Sequence, residues 1–218
     1  MDFIPMLQDY LLKTLLIAPP VLLALTVHEC AHAWTACKMG DPTAKMMGRV
    51  TLNPLKHLDP IGTVALFVSG MFGWAKPVPI NPRNFRNISK GITLVSLAGP
   101  LSNVFLAAVF ALVRRLLLMG GDKLAFTAPQ VFKPIYIMVE VSIVLNVSLA
   151  VFNMIPVPPL DGSRVLANFL PPDKAFAFSK IEPYGFMILI VLIMSGVINR
   201  VVSPLVFFTA GLLTGGFF

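Results

Sequence analysis

Charge is scarce in this sequence. Asp, Glu, Lys and Arg together make up 12% of 218 residues, and the acids number only 10. Soluble domains carry roughly a quarter charged residues, so an ordinary soluble fold is excluded. Histidine occurs three times and cysteine twice. Cys30 and Cys37 fall in one apolar run, roughly 10 Å apart along a helix axis, too far to form a disulfide. They say nothing about redox compartment. A cleavable leader is not expected either: Asp2 and Asp9 stand where its basic flank belongs, and the apolar run behind them is too long. Lys and Arg number 17, yet no basic helix interleaved with aromatics appears, which argues against nucleic acid as a partner.

What the chain has in abundance is apolar surface. It is 56% hydrophobic with a mean hydropathy of +0.82, the composition of an all-α integral membrane protein. Four runs meet the requirement of about 20 residues for a crossing. They are 10–37, bent at Pro19-Pro20; 91–113, closed by Arg114-Arg115; 134–155, stopped by Pro156; and 184–218. The last is too long for one crossing, and Asn199-Arg200 with Pro204 are expected to divide it. A shorter run, 61–75, is interrupted by Gly62, Ser69, Gly70 and Gly73, which suits a re-entrant or interfacial element better than a span. Behind it, alternate prolines in Lys76-Pro77-Val78-Pro79-Ile80-Asn81-Pro82 impose extended backbone. With 61–75 re-entrant, 11 of the 17 Lys and Arg fall on one side of the membrane. That side is expected to be cytoplasmic, in a prokaryotic plasma membrane. The whole chain, 1–218, is expected to form one membrane-embedded domain, with its core at about 10–170 and further spans at about 184–218.

Chemistry concentrates in the first run. His28-Glu29-Cys30-Ala31-His32 reads His-Glu-x-x-His, and on a helix positions 28 and 32 lie one turn apart on one face. Two imidazoles so placed can hold one Zn²⁺, with Glu29 beside them as general base. Ionisable groups at bilayer depth are costly and mark function by default. A catalytic zinc takes three protein ligands, and Asp161 is the natural third. If 61–75 is re-entrant, a single return crossing separates the two motifs, and the ends of the first and third spans face the same side. The metal reading and the charge rule thus agree.

With these residues in view, the chain resembles the site-2 protease family of intramembrane zinc metalloproteases. His-Glu-x-x-His at 28–32 and Asn-x-x-Pro-x-x-x-Leu-Asp-Gly at 153–162 match its two signatures, and Gly99-Pro100-Leu101-Ser102-Asn103 is similar to the small-residue motif of its middle core helix. The resemblance covers roughly residues 20–170. It implies a three-helix catalytic core, one zinc held by His28, His32 and Asp161, Glu29 as catalytic base, and a transmembrane protein as substrate. The 36–90 interval is too short for a PDZ domain and no CBS domain follows the last span, so a minimal form is expected.

Other polar residues fall into stripes. Ser96, Gly99 and Asn103 share one face of the second span, and Ser142, Asn146 and Asn153 share one face of the third. Asn153, which opens the second signature, is expected to orient the site or steady an oxyanion. Asn103 and Asn146 are expected either to touch substrate or to join the helices. His57, in a basic loop, is expected beside the cleft against substrate, or else as a plain interfacial residue. Val78 and Ile80 are expected to pair with an unwound substrate strand, although the prolines limit the donors. Glu140 points away from the stripe, towards a basic neighbour. Two other readings stay open at this stage. One is a metal transporter, which has no need of a base beside its first ligand. The other is a non-catalytic membrane scaffold.

Overall fold

A computed structural model describes residues 3–69 and 73–216. Gly70 and the last two residues of the 184–218 run lie outside the described residues. In lipid the backbone must satisfy its own hydrogen bonds, so long apolar runs become helices. Three of them build the core: α1 (Phe3–Met39), α4 (Ile88–Thr127) and α5 (Pro129–Asn153), each packed against the other two. Between α1 and α4 lie the short α2 (Thr43–Met46) and α3 (Pro60–Ser69). After α5 come α6 (Asp161–Phe169), α7 (Pro172–Ser179), α8 (Gly185–Met194) and α9 (Val197–Thr214). Among the described residues there is no strand, only one isolated bridge. Among the described residues, five segments are long and apolar enough to cross a bilayer: Tyr10–Met39, Ile88–Gly120, Pro129–Asn153, Pro172–Met194 and Val197–Thr214.

The packing inverts that of a soluble protein. Ala24, Ala33, Ala36, Ala107, Ala111 and Ala150 are buried, while large side chains such as Phe105 and Leu112 point outwards. Lipid is as apolar as leucine, so helices associate by close approach of small residues and by polar contacts. Arg114 and Glu140 supply one such contact, joining α4 to α5 at 2.6 Å as the sequence leads one to expect.

The re-entrant expectation holds. α3 has 10 residues, about 15 Å of helix against a hydrocarbon core of ~30 Å. Leu58 bridges to Ala75, and the Lys76 N–H donates to the His57 carbonyl at 2.8 Å, so the chain leaves and returns at one point.

Several boundaries differ from expectation. The last run divides at Gly196, whose φ of +74° is a left-handed conformation suited to glycine. Asn199-Arg200 and Pro204 lie inside α9, because a proline in a membrane helix is tolerated where neighbours pack around the gap. There α9 packs on α4 and α5 through Val206 and Ala210. α4 continues through Arg114-Arg115. α5 starts at Pro129, a proline at the first helical position, and stops at Asn153.

This topology is testable in a variant with Cys30 and Cys37 changed to Ser. Lys56→Cys and Lys76→Cys should react with a membrane-impermeant maleimide from the same side of sealed vesicles, and Lys133→Cys only from the other. Labelling of positions 56 and 76 from opposite sides would mean that α3 belongs to a full crossing.

Candidate metal centre

His28 and His32 lie one turn apart on α1, with Nε2 atoms 3.0 Å from each other. Asp161, the first residue of α6, brings Oδ2 to 3.4 Å from His28 Nε2 and 3.3 Å from His32 Nε2. It arrives there because α6 starts hard against the end of α5: a Cβ on Gly162 would overlap the Met154 carbonyl. The Asp-Gly pair is therefore a packing requirement as well as a turn signal.

Proton positions follow from the outer partners. His32 Nδ1 lies 2.7 Å from the Val95 carbonyl, which can only accept. His28 Nδ1 lies 2.5 Å from Asn103 Oδ1. The Asn103 amide is oriented by its own donations, from Nδ2 to the Ala24 carbonyl at 3.3 Å and to Asn146 Oδ1 at 2.8 Å. Asn146 in turn donates to the Ser142 carbonyl at 2.8 Å. Both neutral imidazoles therefore carry their proton on Nδ1 and aim an Nε2 lone pair at the same point as a carboxylate oxygen. Three such donors repel unless a cation lies between them. A tetrahedral zinc with bonds of about 2.0–2.1 Å sets its donors roughly 3.3–3.4 Å apart, close to the separations seen. The donor set fits zinc.

Gly99 of α4 lies against both rings, where a Cβ would sit 2.5 Å from His28 Nε2 and closer still to His32 Nε2. Glu29, half-buried, forms no hydrogen bond or ion pair among the described residues, so its carboxylate is uncommitted.

A cavity of about 550 Å³ adjoins the centre, lined by Val78, Ile80, Phe85, Ile92, Val95 and Arg164 among others. Val95 joins the two, since its side belongs to the cavity wall and its carbonyl holds His32. Val78 and Ile80 line this cavity, which Val95 connects to His32.

The structure decides between the two readings of Asn103, Asn146 and His57, against a place on the substrate. Asn103 and Asn146 are fully buried, and their amides are consumed in fixing His28, so they position a ligand and do not touch substrate. His57 is 1% exposed and pairs through Nε2 with the Thr51 carbonyl at 2.9 Å, which makes it a staple within its loop. Asn153 Nδ2 donates to the Leu149 carbonyl at 2.9 Å, and its Oδ1 and second N–H have no partner among the described residues. Sequence reasoning also passed over Asp41 and Arg49, both buried, counting them only as charges. Their signal was charge beside an apolar membrane segment, a position that rarely goes unpartnered.

Gly99→Ala pushes a methyl group between the imidazoles. Metal analysis of the purified protein should find zinc well below one per chain. Gly120→Ala, on the same helix with nothing within 4 Å, should retain it. Full zinc in Gly99→Ala would mean that the ligands lie elsewhere.

Comparison with known proteins agrees with this geometry. The model of peptidase family M50 matches residues 17–196. YwhC of Bacillus subtilis (strain 168), designated a zinc metalloprotease, is 40% identical over 200 residues, 91% of this chain and 86% of its own. Rip2 of Mycolicibacterium smegmatis, with the same designation, is 32% identical over 193 residues, 85% of this chain and 69% of its own. MJ0611 of Methanocaldococcus jannaschii shares 39% over 75 residues, 33% of this chain and 31% of its own. No solved structure matches the chain. Ligand geometry, membrane helices and relatives converge: the chain belongs to peptidase family M50, the site-2 protease family, and is a zinc metalloprotease.

Proposed function

We propose that this metalloprotease hydrolyses a peptide bond in or near the transmembrane segment of another membrane protein, from the cytoplasmic side of the membrane. The observation that carries the reading is the uncommitted Glu29 carboxylate beside a His28–His32–Asp161 donor set, all on helices that sit among bilayer-spanning segments. Orientation rests on the 11 of 17 Lys and Arg that fall on the side of the α1–α4 connection and the segment after α5.

Bound zinc supplies Lewis acidity, which brings the pKa of water towards ~7 and polarises a carbonyl. The residues of the chain do the rest. His28, His32 and Asp161 would hold the ion. Glu29 takes a proton from water and delivers it to the departing amine. Asn153 keeps Oδ1 and one N–H uncommitted, enough to hold a carbonyl oxygen as charge develops on it. A transmembrane helix shields its carbonyls by internal bonding, so the substrate unwinds locally before it reacts. The cavity bordered by Val78 and Ile80 receives the unwound stretch. A pure metal pathway has no use for Glu29.

Glu29→Gln keeps the shape and removes the base. Zinc content should stay at one per chain, and cleavage should fall by roughly 10²–10⁴-fold, the usual contribution of a general base. Comparing membrane proteomes of cells carrying wild-type or Glu29→Gln protein should reveal an uncut single-span protein that accumulates only with the variant. An unchanged proteome, together with zinc flux through both proteins, would sink the proteolytic reading in favour of transport.

A further inference from the structure

Residues 76–81 are fastened at both ends and unpaired between. At the near end Arg49, 4% exposed, donates from Nη1 to the Pro77 carbonyl at 3.1 Å and from Nη2 to the Lys76 carbonyl at 2.5 Å. At the far end Asp41 Oδ2 accepts from the Asn81 N–H at 2.7 Å, and Oδ1 accepts from Asn84 Nδ2 at 2.8 Å. Thr43 donates to the same carboxylate from its N–H and its hydroxyl. Asp41 lies two residues past the end of α1, so the helix that carries His28 and His32 also sets the position of the far anchor. Between the anchors, Val78 and Ile80 make no hydrogen bond among the described residues.

The prolines sharpen this picture. Alternate prolines restrict this stretch to extended backbone. Pro77 and Pro79 have no N–H, so Val78 and Ile80 supply its donors, with two carbonyls beside them, the complement of another extended peptide. Val78 and Ile80 both line the cavity that Val95 joins to His32.

We propose that Arg49 and Asp41 are positioning residues that hold residues 77–81 extended, keeping Val78 and Ile80 as a ready-made edge for an unwound stretch of substrate beside the metal centre. The inference rests on the proteolytic reading above. Its physical basis is the cost of the arrangement. A buried guanidinium must be well bonded, yet Arg49 leaves Nε without a partner while committing both terminal nitrogens to consecutive carbonyls. Burial lowers the pKa of Arg49 and the nearby Glu29 carboxylate raises it in return, so the clamp lies within electrostatic range of the base. Lysine has one charged nitrogen and cannot span both carbonyls.

The test uses zinc-loaded full-length protein in lipid nanodiscs and a synthetic single-span peptide of about 20 apolar residues with a central Asn-Pro pair that weakens its helix. Arg49→Lys and Asp41→Asn should raise KM about 10-fold, the scale of a lost buried hydrogen bond to a charge, with kcat little changed and one zinc per chain retained. Arg49→Ala should do more. Amide exchange at Lys76 and Asn81, read without peptide, should speed up in Arg49→Ala. Unchanged KM in Arg49→Lys and Asp41→Asn, or a loss confined to kcat, overturns the proposal. Because exchange needs no cleavage, slow exchange in Arg49→Ala also overturns it. A wild type that cuts no single-span peptide counts instead against the proteolytic reading.

Discussion

Two imidazole lone pairs and a carboxylate oxygen meet within 3.4 Å of one another, and everything around them serves to hold that repulsive arrangement ready for a cation. A flexible site would relieve the repulsion by turning a ring or swinging the acid away. Here the Val95 carbonyl pins one ring. The Asn103 amide, itself pinned by Ala24 and Asn146, holds the other. Outer hydrogen bonds of this kind set the tautomer as well as the orientation, so the metal-facing nitrogen of each histidine is ready before any ion arrives. The convergence of the three donors is a property of the fold.

That rigidity is available because the packing is close. Gly99 lets α4 press directly on the histidine rings, and the alanines of α1 and α4 let the helices approach without large side chains between them. In a soluble protein such a core would bury little apolar area and contribute little stability. Within lipid the outer leucines and phenylalanines gain nothing by turning inwards, so the interior is left to small and polar residues. The same constraint that makes polar groups expensive in the membrane gathers them into one network.

Much of this was legible in the sequence, for physical reasons. His28, Glu29 and His32 obey helical spacing, which is local. Asp161 was reachable because counting crossings placed the ends of the first and third spans on one side, and that count also identified 61–75 as re-entrant. What stayed hidden depends on contacts across long stretches of chain. Nothing near Asn103 in the sequence says that its partner is His28, 75 positions away. Nothing near His57 says that its ring is stapled to Thr51 and not turned to the cleft. The division of the last run was misplaced because Pro204 is the stronger breaker in water, whereas in a packed membrane helix Gly196 ends the helix and Pro204 does not.

An unpaired strand edge is normally a liability, and proteins blunt it with proline, charge or cover. Residues 76–81 carry proline at alternate positions, which removes the N–H at Pro77 and Pro79 and leaves those of Val78 and Ile80 in place. A segment selected only to avoid unwanted pairing has no reason to spare those donors, least of all at residues that border a cavity next to metal ligands. Nor has it reason to be held by a buried arginine with an N–H left over. Both features make sense together if the spared donors face a guest. A hydrolase that acts on helices must stabilise an extended conformation its substrate does not favour, and a preformed, proline-stiffened edge lowers the entropy lost in doing so.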